Sequence, residues 1–259
     1  AVRIMGAQEA RQTILRRAPW EDQEMPERVL AGIERIFGER LSPAEAVARI
    51  LREVRVRGDA ALVEWSERID GAAPAGARPE IPPDAWAAAY GRLPASQREA
   101  LDLAAERITA FHRRQPMDSW IDSGPDGTLG QLIRPIRRVG LYVPAGSSPL
   151  PSSVIMSAVP AQVAGVGEIV LAAPPDRKTG RIAPVILATA ALLGLDEVYQ
   201  MGGAQAVAAL AYGTQTIPRV DKIFGPGNLF VTLAKKQVFG AVGIDGLAGP
   251  TETVVVADE

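Results

Sequence analysis

Apolar positions recur three and four residues apart along Ala7 to Arg17 and along Pro26 to Phe37, a spacing that lines one face of an α-helix. Ser42-Pro43-Ala44-Glu45 has the spacing of a capping box, in which serine and glutamate satisfy each other's backbone N–H groups, and it predicts a helix over Ala44 to Arg57. A Pro-rich linker, Gly71 to Pro83, follows. Asp84 is placed to cap a short helix and Ser96 to cap another from Gln97 to about Arg114, such caps contributing about 1 kcal/mol each. The Gly and Asp run from Asp122 to Gly127 predicts a turn.

After residue 138 the pattern changes. Val139-Gly140-Leu141-Tyr142-Val143 is a short run without polar alternation, and Glu168 to Ala172, Glu197 to Gln200, Lys222 to Phe224 and Thr253 to Ala257 are similar. Between them, Pro151 to Ala164, Ile182 to Leu193, Ala204 to Tyr212 and Leu229 to Phe239 read as helices. Strands that are apolar on both faces, each followed by a helix, predict a parallel sheet covered on both sides. With right-handed crossovers this is a doubly wound, Rossmann-like domain over residues 139–247. The predicted fold class is therefore α/β, a Rossmann-like parallel sheet preceded by a helical segment. No internal repeat or low-complexity tract is present.

Charge supports the same division. Residues 1–138 carry 21 basic and 21 acidic side chains, and residues 139–259 carry 7 and 9, so the second half buries far more of its length in apolar surroundings. At 47% hydrophobic residues and a net charge of −2, intrinsic disorder is excluded. A pI near 5.7 gives no overall basic field for nucleic acid. The absence of cysteine excludes disulfides and cysteine-ligated zinc or iron–sulfur sites, and it points to a reducing compartment. The longest membrane-span candidate, Val154 to Pro175, is broken by Ser157, Gln162 and Glu168, and the first residues lack the apolar centre of a secretion signal. A cytoplasmic protein with neither a membrane nor a nucleic-acid partner is expected.

In open α/β sheets the ligand lies beyond the carboxyl ends of the strands, which directs attention to four loops. These are Pro144-Ala145-Gly146-Ser147-Ser148-Pro149-Leu150-Pro151, Met201-Gly202-Gly203-Ala204-Gln205, Gly225-Pro226-Gly227-Asn228 and Ala248-Gly249-Pro250-Thr251-Glu252. The two glycine pairs lead directly into helices, where free N–H groups and the helix dipole can meet a phosphate or carboxylate; the alternative is that they are tight turns and caps only. Gln205 and Asn228 carry amides suited to a ribose or a nicotinamide carboxamide, or each can cap its own helix. Tyr142, at the end of the first strand, can flank a flat ligand or pack in the core. The spacing G-x-G-x-x-G is absent, so no dinucleotide fingerprint identifies a cofactor by itself. His112, the only histidine, ends a helix and reads as a dipole partner or surface residue, so this chain encodes no metal site. A hydrolase elbow G-x-S-x-G is also missing.

These loops resemble the histidinol dehydrogenase family. The resemblance runs from about Arg134 to Asp258 and rests on Val139 to Pro144, Met201 to Ala206, Ala211 to Thr214, Val220 to Asn228, Ala234 to Val238, Ile244-Asp245 and Ala248 to Glu252, in the family's order. It implies an NAD-dependent, zinc-containing homodimer that oxidises L-histidinol through an aldehyde to L-histidine. By motif position, Tyr142, Gln205 and Asn228 match the NAD-contacting residues, and Thr251 stands where a substrate-contacting serine is usual. Ala145 replaces a common glycine. The family's zinc ligands and Glu–His acid/base pair lie downstream of Glu259, so no catalytic residue and no metal ligand is expected in this chain. The resemblance implies an arm over 1–26, the helical first part of a substrate and zinc domain over 27–138, an NAD-binding domain over 139–247, and a strand over 248–259 returning to the incomplete first domain. An N-terminal part of a longer enzyme, inactive alone, is thus expected. Two other readings stay open: a dehydrogenase of another small amino- or sulfo-substituted alcohol, and a non-catalytic nucleotide-binding module or split subunit.

Overall fold

The computed structural model describes residues 5–13, 15, 25–72, 79–144 and 148–247. Four of the strands predicted after residue 138, with one short strand that was not, form a five-stranded, all-parallel sheet in the order β5-β4-β3-β6-β7, and the predicted strand Thr253 to Ala257 lies outside the described residues. Its members are β3 (Arg138–Tyr142), β4 (Glu168–Ala173), β5 (Glu197–Gln200), β6 (Lys222–Phe224) and β7 (Gly243–Ile244). Every residue of β3 is buried, as continuous apolar runs require when both faces are covered. The two-residue edge strand β7 is too short to be legible in the sequence.

The helices divide between the two faces. On one lie α7 (Pro151–Val163) and α8 (Pro184–Leu192), packed on Val139, Leu141, Ile169, Leu171 and Val198. On the other lie α9 (Gly203–Tyr212) and α10 (Leu229–Val238), packed on Tyr142, Val170, Ala172, Tyr199 and Ile223. Two residues adjacent in a strand therefore serve opposite cores.

The helices before residue 113 form an outer layer on these four. After the short α1 (Ala7–Gln12) and α2 (Glu27–Phe37), helices α3 (Pro43–Arg57) and α4 (Asp59–Asp70) share the core of α9 and α10 through Val47, Ile50, Val54, Leu62 and Trp65. On the opposite side, Trp86 of α5 (Pro83–Arg92) enters the core with α8, and Leu101 of α6 (Ala95–His112) meets Ile155 and Val159 of α7. The change of charge density at residue 138 thus coincides with the passage from outer helices, with one wet face, to a sheet and helices that are buried over most of their length.

The Ser42–Glu45 capping box forms as predicted, with Ser42 Oγ accepting from Glu45 N–H and the Glu45 carboxylate accepting from Ser42 N–H. Neither Asp84 nor Ser96 is a cap: α5 and α6 begin one residue earlier, behind Pro82 and Pro94, whose fixed φ already sets the entry to a helix. Residues 122–127 are not a simple turn. They belong to an exposed antiparallel hairpin, β1 (Trp120–Gly124) with β2 (Gly127–Gln131), and only Pro125-Asp126 makes the bend. Part of the expected linker is ordered as well: Pro79 and Ile81 bond to Gln200 and Val198 and cover the outer edge of β5.

At the amino ends of the strands, Arg138 is buried and its guanidinium bridges Glu168 on β4 and Glu197 on β5. Tyr199 Oη donates to the same Glu197 at 2.5 Å. Arg138→Met is expected to lower the unfolding free energy by about 2–3 kcal/mol in urea titration. That is less than for a fully buried pair, because Glu168 and Glu197 keep 42% and 24% side-chain exposure.

Candidate ligand site at the sheet rim

From β3 the chain winds outward through α7, β4 and α8 to β5, and then crosses back through α9 to β6 on the other side of β3. The order reverses between β3 and β6, and the loops leaving these two strands must diverge there. Ligand crevices of doubly wound sheets form at such a point. The residues at it are Tyr142 to Pro144 and Gly225 to Asn228, with the Gly202-Gly203 turn beside them.

The two loops are held against each other without space. Gly225 has φ +125°, and a Cβ there would stand 2.0 Å from the Tyr142 carbonyl oxygen. Both of its backbone polar groups are held: Gly225 N–H donates to Asp245 Oδ2 at 2.9 Å, and its carbonyl accepts from Lys235 Nζ at 3.0 Å. Lys235 is 5% exposed and ion-paired to Asp245. Sequence reading assigned no role to this lysine, although it falls on the apolar stripe Val231, Ala234, Val238 of α10, which marked it as buried.

Tyr142 and Gln205 meet in one buried network. The Tyr142 hydroxyl accepts from Gly203 N–H at 3.2 Å, and burial pushes its pKa up to about 12, so it is a neutral phenol. Gln205 is fully buried; its Nε2 donates to Asp70 Oδ2 at 3.1 Å, and its Oε1 has no partner. The Gly202 N–H also bonds the Asp70 carboxyl, and Arg177 lies near it, yet burial outweighs these and moves Asp70 up to about 6. Asp70 was not singled out from the sequence. The available signal was its position as the last residue of α4, where a negative charge opposes the helix dipole.

At two places the structure shows the turn or cap that the sequence left as an alternative. The N–H groups of Gly202 and Gly203 are not free for a phosphate, because the Asp70 carboxyl and the Tyr142 hydroxyl already accept from them. Asn228 is the exposed N-cap of α10, its Oδ1 accepting from Phe230 and Val231 N–H at 3.0 and 3.2 Å. It lies on the loop of the strand adjacent to β3, outside the Tyr142–Gln205 network. Thr251, with the rest of 248–259 and residues 145–147, lies outside the described residues. His112 ends α6, and its Nδ1 hydrogen-bonds Gln115 Oε1 at 2.7 Å. Among the described residues, no group of three or more His, Cys, Asp or Glu side chains is placed to hold a metal ion, and no helix is long and apolar enough to cross a membrane.

Fold and rim together define a doubly wound α/β domain whose glycine-rich loops gather at its topological switch point. The family model for histidinol dehydrogenase matches residues 39–259, and the chain belongs to the histidinol dehydrogenase family. It is 51% identical to the histidinol dehydrogenase of Deinococcus radiodurans over 258 residues, covering 100% of this chain and 58% of that protein. It is 50% identical to that of Moorella thermoacetica over 231 residues, 87% of this chain and 54% of that one. A crystal structure of histidinol dehydrogenase from Elizabethkingia anophelis superposes with a TM-score of 0.76 at 35% identity, covering 90% of this chain and 52% of that chain. The chain thus spans about half the length of the relatives it matches.

Gly225→Ala is expected to lower the unfolding free energy by more than about 3 kcal/mol in denaturant titration, since backbone on both strands must shift. For Asp70, the folded chain retains between pH 4 and 6 a proton that the unfolded chain has already lost, so its contribution falls as pH rises through that window. Asp70→Asn is therefore expected to raise stability at pH 7.5 by about 2–3 kcal/mol and to remove that part of the pH dependence.

Proposed function

We propose that this chain is the NAD-binding portion of a histidinol dehydrogenase, an oxidoreductase of histidine biosynthesis that converts L-histidinol through L-histidinaldehyde to L-histidine. The observation that carries this is positional. Of the family-like segments, Tyr142 to Pro144, Met201 to Gln205, Gly225 to Asn228 and Ile244-Asp245 lie at the carboxyl ends of the strands, although residues 142 to 245 are spread over more than a hundred positions of the chain. NAD fits what is present there. A buried amide oxygen without a partner on Gln205, beside the glycine turn at the carboxyl end of β5, offers an acceptor to a dinucleotide donor.

Bound NAD supplies the acceptor for the hydride leaving the alcohol carbon. The chain's own residues bind and orient. Tyr142 keeps its proton at neutral pH and holds the Gly203 turn. Gln205 offers its carboxamide to a ribose or nicotinamide donor, and Asn228, exposed on the adjacent loop, is the third contact. Thr251 supplies the hydroxyl toward the substrate. Residues 27–138 carry the helices that pack on the sheet's own helices, and by the family resemblance they also begin the substrate and zinc domain. The described residues do not fit zinc, and no step is assigned to it; its ligands and the acid/base pair belong to polypeptide corresponding to the rest of the relatives' length. The complete enzyme is a cytoplasmic homodimer.

Calorimetric titration with NAD+ and absorbance at 340 nm test this reading. The 259-residue chain is expected to bind NAD+ without turning over L-histidinol. NADH should form when the chain is extended to the relatives' full length and supplied with Zn2+. Absence of NAD+ binding, or faster reduction with a sulfo-substituted alcohol than with L-histidinol, would count against it.

A further inference from the structure

Asp70 reaches the rim from the outer helical layer, its Oδ2 accepts from Gln205 Nε2 at 3.1 Å, and its carboxyl lies at the Gly202 N–H. A carboxylate only accepts, so the Gln205 nitrogen is fixed toward α4 and the amide oxygen must point the other way. That oxygen is buried and unpartnered, and it lies 2.6 Å from where a Cβ on Gly203 would stand. Buried acceptors in folded chains are nearly always paired, so an orphan beside the glycine turn at the switch-point rim points to a partner that arrives with a ligand. Gly203, with φ +59° and no side chain, is the cover over it.

We propose that Asp70 is a positioning residue for the dinucleotide, acting through Gln205: it turns the carboxamide oxygen toward Gly203, where it accepts from a hydroxyl or carboxamide donor of the nicotinamide nucleoside. This rests on the NAD reading above. It also gives the outer layer a role in binding, since α4 alone supplies the group that sets the amide. The arrangement needs the carboxylate form. Protonated Asp70 carries a donor of its own, which lets the Gln205 amide turn over. The groups facing it are Arg177 on the loop after β4, which favours ionisation, and the Tyr142 hydroxyl on β3; α9 carries no charged residue. With burial moving Asp70 up to about 6, affinity for the dinucleotide should fall as the pH drops below that value.

The test is calorimetric titration of NAD+ into the unsubstituted chain, Asp70→Asn, Gln205→Ala and the double variant at pH 7.5, and into the unsubstituted chain from pH 8 to 5. Asp70→Asn and Gln205→Ala should each weaken binding about three- to tenfold, with the double variant no weaker than the worse single one, because one acts through the other. The unsubstituted chain should lose several-fold in affinity between pH 7.5 and 5. Asp70→Asn should show a flat profile, and His112→Gln, removing the single imidazole of the chain, should leave the loss in place. Unchanged binding by Asp70→Asn, or fully additive losses, overturns the proposal while the NAD reading stands. If Asp70→Asn does not fold, a flat profile of the unsubstituted chain overturns it instead. No NAD+ binding by the unsubstituted chain overturns the NAD reading and this proposal with it.

Discussion

The structure depends on the burial of β3 from both sides. A strand with no polar face must be covered above and below, so the chain has to lay helices on one face, cross over, and lay helices on the other. That crossing sends the connections after β3 and β6 in opposite directions and makes the topological switch point. The same demand explains why these loops are lined with glycine. Where β3 and β6 end side by side, the backbone of Gly225 lies against that of Tyr142 at a distance no Cβ tolerates.

The rim is polar inside an apolar frame, and its polar groups are held from a distance. Lys235 and Asp245, from the helix and strand that follow, fix both backbone groups of Gly225, while Asp70, from a helix more than 130 residues away in sequence, fixes Gln205 and the adjoining turn. A partly buried carboxyl whose pKa lies well above its ordinary value is destabilising when ionised. Here one is retained beside an unpaired amide oxygen, so two unfavourable features share this part of the rim.

Much of the fold was legible. The four principal strands and their helices follow from apolar runs of strand length alternating with longer helical runs, and the capping box at Ser42 set the start of α3 to within one residue. What failed was punctuation. Asp84 and Ser96 look like caps, but the prolines before them fixed the backbone first. The hairpin at 120–131 was hidden because its alternation is weak and both faces are exposed. β7 was hidden because two residues carry no pattern.

By itself the sequence determined the parallel sheet, the glycine corners and the family, because each is written in local spacing or in contiguous motif. Only the tertiary structure decided which amides are free. It showed Asn228 bound to its own helix, and Gln205 buried with one side of its amide held by Asp70. Periodicity reports which face of a helix is apolar. It says nothing of which side chain from a distant helix arrives at that face, since that contact is fixed by packing across the sheet and leaves no mark in the local pattern.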